Sequence, residues 1–69
     1  MTDHRMVGKI GRVTGAIQPG KLGEVRIPVR GSTEAFLART DDAEPIAVGS
    51  RVIVTEYLPP RTVIVSVVP

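Results

Sequence analysis

The chain has no cysteine and no tryptophan, and it carries a single phenylalanine (Phe36), a single tyrosine (Tyr57) and a single histidine (His4). Each absence closes a route. Without cysteine there is no disulfide framework and no thiolate metal cluster. A small domain of this kind must be held by apolar burial alone. One histidine beside Asp3, near the start, cannot supply the ligands of a metal site. Ser32, Ser50 and Ser66 have no histidine in the body of the sequence to act as their base. Lys9 and Lys21 are expected on exposed loops or strand faces, where a lysine stays protonated and is no substitute base. No run of like charges forms a basic or acidic arm. No stretch approaches the ~20 apolar residues that cross a bilayer. No apolar h-region follows the first residues, so no signal peptide is read.

What remains is a 69-residue chain, 42% hydrophobic and rich in Val, Ile, Leu and Ala, with a net charge of +2. Arginine supplies most of the positive charge, and the acidic residues are scattered among the basic ones. β-Branched residues in short runs suit a compact barrel better than a layered α/β fold.

The pattern along the chain is β throughout. Residues 1–5 are polar and without periodicity, and read as a flexible tail; residues 6–69 read as one barrel domain. From Met6, strand formers are interleaved with Gly8, Gly11 and Gly15. Glycines inside a strand mark bulges and bends, so a curled first strand that joins two sheets is expected. Gln18-Pro19-Gly20-Lys21 is turn chemistry. Residues 22–29 alternate, with Val25, Ile27 and Val29 on one face and Glu24, Arg26 and Pro28 on the other. After the turn Arg30-Gly31-Ser32, residues 33–39 form a third strand whose phase is open: either Ala35 and Leu37 or Phe36 and Ala38 face inward. Asp41 and Glu44 resemble a capping box, and Pro45 and Gly49 limit any helix there to one turn. Strand four spans 51–58 and strand five 62–68, across the break Leu58-Pro59-Pro60-Arg61. Strand five is apolar on both sides, which places it against the barrel or against a second copy in a homo-oligomer.

The fold class that follows is all-β: a five-stranded OB-fold small barrel with a short irregular or one-turn link between strands 3 and 4. An SH3-like barrel is the rival.

One motif points elsewhere. Gly15-Ala16-Ile17-Gln18-Pro19-Gly20-Lys21 has the spacing of a phosphate-binding P-loop. That mechanism needs Ser or Thr next, and a helix. Leu22 stands there and a period-two strand follows, so a turn is expected. Asp41, Asp42 and Glu44 lack the spacing and glycine of a Ca²⁺ loop and read as a solvated segment. On an OB barrel the customary binding surface is strands two and three with the flanking loops. It would carry Lys21, Arg26, Arg30, Phe36, Arg39 and Arg61, the candidate interaction residues of this chain. The charge admits single-stranded nucleic acid as an alternative ligand. The scarcity of aromatics for stacking, with Glu24 and Glu34 close by, disfavours it.

Gly8-Lys9-Ile10-Gly11, Pro19-Gly20, Gly23-Glu24-Val25, Arg30-Gly31, Ile46, Val48-Gly49-Ser50-Arg51-Val52 and Pro59-Pro60-Arg61-Thr62-Val63, in that order and spacing, resemble the C-terminal soluble domain of the NfeD-like family across residues 7–68. The resemblance implies an OB barrel with no catalytic residues and no cofactor. It implies a docking module for stomatin-, flotillin- or prohibitin-like membrane proteins. In the family this domain usually hangs from a membrane segment, and some members carry a serine-protease domain upstream. This chain shows neither, so the expectation is an excised domain or a short stand-alone member. It would be a cytoplasmic soluble domain, associated with membrane through a missing segment or a partner.

Overall fold

The computed structural model describes residues 6–69; the tail expected over residues 1–5, with His4, lies outside them. Five strands form: β1 (Ile10–Gly15), β2 (Gly23–Val29), β3 (Ser32–Arg39), β4 (Arg51–Leu58) and β5 (Thr62–Val67). They close into a barrel in the order β1-β2-β3-β5-β4, with β4 returning to β1. Every neighbouring pair is antiparallel except β3 and β5. This connectivity is that of the OB fold, and the SH3-like rival falls away. The second, fourth and fifth strands lie within a residue of their expected bounds.

The interior follows from strand alternation. Val13, Val25, Ile27, Val52, Val54, Val63 and Val65 are each at most 1% exposed. The open phase of the third strand resolves to Phe36 and Ala38 inward, with Leu37 outward and 47% exposed. Register decides it. β2 pairs Val25 with Phe36, and directly opposed residues share a face. β5 is buried on both sides over Val63, Ile64 and Val65, with Ile64 lying outside the central cluster. Val67 keeps their inward phase but sits where the strand ends, half exposed.

The first strand is shorter than its pattern suggests. Met6 is buried, and the Lys9 N–H donates to the Met6 carbonyl at 3.2 Å, so the chain turns before it enters β1. A register shift between Val13 and Gly15 then bends the strand at its far end. This is the expected curl, and it lets β1 pair with β2 on one edge and β4 on the other.

Two core side chains come from outside the strands. Ile17 and Ile46 exchange both backbone hydrogen bonds, at 3.0 and 2.7 Å, and their side chains are buried. This bridge pins the long link between β3 and β4 across one end of the barrel. No helical turn forms there. The Asp41–Glu44 cap is replaced by Thr40, a buried residue whose Oγ1 accepts the Asp42 N–H at 3.0 Å. Ile46 needs extended backbone to reach Ile17, and Pro45 before it has no N–H to give a helix. The link is therefore irregular.

Close packing of the β1–β2 connection leaves no room at Gly23. A Cβ there would lie 2.5 Å from the carbonyl oxygens of Gly15 and Ala16 and 2.6 Å from Ile17 Cγ1. The obstacle is mostly backbone, which cannot swing aside. Gly23→Ala should therefore destabilise the domain by about 2–3 kcal/mol, the upper range for overpacking. Urea denaturation followed by circular dichroism measures it; an unchanged midpoint would contradict the packing described.

Candidate interaction surface

The P-loop-like segment is a turn. The Lys21 N–H donates to the Gln18 carbonyl at 2.9 Å, and Gly20 takes φ +79°, the left-handed conformation that a Pro-Gly turn requires. β2 follows rather than a helix, so no row of free N–H groups faces a phosphate. Asp41, Asp42 and Glu44 are all exposed. Among the described residues no group of His, Cys, Asp and Glu could hold a metal ion.

Strand direction divides the molecule. β1, β3 and β5 run one way, β2 and β4 the other. One end of the barrel thus carries the β2–β3 and β4–β5 hairpins. The other carries the β1–β2 loop and the link of residues 40–50. Of the six candidate residues, Lys21 and Arg39 belong to the loop end, Arg30 and Arg61 to the hairpin end, and Arg26 to the middle of β2. Arg39 Nε stands 3.9 Å from Asp41 Oδ1. Arg30 is the first of the two residues in the β2–β3 hairpin loop and adopts φ +51°, a region that favours Gly or Asn.

Phe36 and Arg61 are brought together. The ring faces the core and is 6% exposed. The Arg61 guanidinium lies over it, 4.9 Å from the centroid. Its Nη1 donates to Glu34 Oε1 at 3.1 Å and its Nη2 to the Ala35 carbonyl at 2.6 Å. The Arg61 carbonyl in turn accepts the Leu37 N–H at 2.8 Å. Arg61 therefore ties the β4–β5 hairpin onto β3 and roofs the aromatic ring. Tyr57, the other aromatic, packs against the core and donates its hydroxyl to the Pro60 carbonyl at 2.8 Å, within the hairpin that holds the cis Pro59–Pro60 peptide.

The strand pairing also assembles a row to which the sequence reading assigned no role. Arg12 on β1 faces Arg26 on β2 and Arg51 on β4. All three are exposed. Arg12 Nη1 donates to the Gly49 carbonyl at 3.2 Å, and among the described residues none of the three is paired with a carboxylate. Arg12 and Arg51 each precede a buried valine on an alternating strand, which marks them as outward-facing. Their adjacency depends on the long-range closure of β1 on β4, for which one sequence carries no local signal.

A closed five-stranded barrel with an apolar interior and cations on its outer wall defines a small OB-type domain. The chain belongs to the NfeD C-terminal domain family, whose model matches residues 10–66. It is similar to the C-terminal domain of stomatin operon partner protein 1510-C from Pyrococcus horikoshii, with a TM-score of 0.79 and 28% identity, covering 100% of this chain and 97% of that one. It is also similar to the soluble domain of the NfeD protein YuaF from Bacillus subtilis, with a TM-score of 0.76 and 28% identity, covering 87% of this chain and 70% of that one. Among curated proteins none matches the sequence.

Substitutions at two positions probe the hairpin end. Arg61→Ala removes one charged pair at half-exposed groups, one bond to a carbonyl and the cation over Phe36. It should cost about 1–2 kcal/mol, and Arg61→Lys should recover less than half, because an ammonium cannot serve both acceptors in one plane. Arg30→Asn should raise stability by about 0.5–1 kcal/mol by relieving the left-handed backbone strain. Thermal melts of the three variants read both effects; a destabilised Arg30→Asn would contradict the turn geometry.

Proposed function

We propose that this domain is a non-enzymatic protein-interaction module that docks on a membrane protein of the stomatin, flotillin or prohibitin type. The observation that carries the reading is the likeness, over the whole chain, to the C-terminal domain of a stomatin operon partner protein. The chemistry of the barrel agrees with it. Its interior is filled mainly by aliphatic side chains, and most of its polar groups lie on the outside, where they can make contacts. In this reading the exposed Lys21, Arg26, Arg30, Arg39 and Arg61 belong to the contact surface, with Phe36 as the support beneath Arg61. The domain needs no cofactor. It works at the membrane by way of the partner or of a segment joined to it; no helix of the described residues is long and apolar enough to cross a membrane.

Biolayer interferometry against purified stomatin-, flotillin- and prohibitin-type proteins tests the reading. Saturable binding to one of them, in the micromolar range expected of a small transient interface, is the anticipated result. Single-stranded DNA and RNA should leave fluorescence anisotropy flat at low salt. Silence from all three protein types, together with tight oligonucleotide binding that weakens steeply as salt is raised, would replace docking by nucleic-acid binding.

A further inference from the structure

The arginine row of β4, β1 and β2 is an anomaly of the outer wall. Like charges directly opposed across strands destabilise a sheet. Here Arg12 faces two of them at once, Arg26 on one side and Arg51 on the other. At the two ends of the barrel Arg39 has Asp41 at 3.9 Å and Arg61 has Glu34 at 3.1 Å, while Arg30 in its hairpin loop has no carboxylate partner among the described residues. Glu24, two residues from Arg26 on the same strand, accepts from the Thr14 hydroxyl at 2.6 Å and is not paired with an arginine of the row. Three cations against this one neighbouring carboxylate leave the row net positive on an ordered sheet.

Beside it runs an apolar row. Two residues before Arg12, Ile10 faces Ile53 of β4, 38% exposed and half-buried respectively. The two rows lie about 7 Å apart, the advance of two strand residues, and the arginine row spans about 10 Å across three strands. An α-helix presents side chains at i, i+4 and i+7 over about 10.5 Å, with neighbours about 5–6 Å apart. Carboxylates at those positions match three guanidiniums, each of which can grip a carboxylate with two N–H donors. An apolar stripe next to them on the helix falls on Ile10 and Ile53. Two aliphatic side chains, one of them half-buried, are a small apolar surface for a bilayer anchor, and no aromatic stands on this face to stack on a base.

The geometry points to the β4–β1–β2 face as a docking site for an amphipathic helix of a protein partner, acidic along one stripe and apolar along the next. The inference rests on the docking function proposed above and adds to its contact surface a face that shares only Arg26 with it, together with the chemistry of the partner.

The test uses isotope-labelled chain and a capped helical peptide of about 20 residues, with glutamates at i, i+4 and i+7 beside a leucine stripe. Amide shifts should centre on Ile10, Arg12, Arg26, Arg51 and Ile53. The Arg12→Gln/Arg26→Gln/Arg51→Gln variant should keep a dispersed spectrum, melt no lower than the parent, and bind the peptide about tenfold more weakly, whereas Glu44→Gln, an exposed change in the link outside this face, should bind it as the parent does. Equal binding of a helical peptide with the same glutamates spread around its circumference would overturn the inference. So would shifts confined to another face, or tighter binding of phosphatidylserine vesicles or oligo-dT on this one. Against the membrane-protein partners, a triple variant that binds as well as the parent refutes the arginine row and leaves docking standing. A parent that ignores those proteins but takes the peptide on this face supports the row and overturns only the partner class.

Discussion

Closure of the sheet is the constraint on which everything else in this molecule depends. A chain without cysteine, holding its fold by aliphatic side chains alone, cannot leave the apolar face of its sheet wet. Rolling five short strands into a cylinder gives the valines and isoleucines of alternate positions a shared interior and removes the open edges. The strand that makes this possible is β1, which pairs on both sides and bends where its register shifts. Ile17 and Ile46 then stopper one end, and Phe36 beneath Arg61 closes the other.

The same closure determines what the outer wall can offer. Every inward residue has outward neighbours, so the polar positions of β4, β1 and β2 are forced side by side. Three arginines meet there because each occupies the outward phase of its own strand and the barrel brings those strands into register. At the barrel ends the arginines serve structure: Arg61 fastens a hairpin, and Arg39 stands near an acid of the adjoining link. On the wall Arg12 donates to the Gly49 carbonyl, and among the described residues none of the three arginines there is paired with a carboxylate.

Much of the architecture was legible in the chain. Period-two alternation located β2, β-branched runs on either side of Pro59-Pro60 located β4 and β5, and the Pro-Gly and Arg-Gly pairs located the turns flanking β2, because these signals are local and depend on side-chain direction and permitted φ alone. The order of small motifs carried the family. Three points were not legible. The phase of residues 33–39 was ambiguous because apolar residues fall on both sides, and only the pairing of Val25 with Phe36 resolved it. The Asp41–Glu44 segment looked like a helix start because capping is read from spacing, whereas the bridge between Ile17 and Ile46 was a competing demand made by residues far apart in sequence. Six candidate contact residues were grouped by their strands and loops, yet the barrel distributes them between its two ends and one wall, and turns Phe36 inward.

Alternation, turn chemistry and a β-branched composition without cysteine determined by themselves that this is a small aliphatic barrel, and the order and spacing of its short motifs carried the resemblance to the NfeD C-terminal type. These are properties of short segments and of composition, which no distant contact can alter. Tertiary structure alone decided which arginines lock the fold, which stand together on the wall, and which core residues are supplied by loops. Those outcomes depend on register between strands distant in the chain, set by the free energy of burying all the inward faces at once.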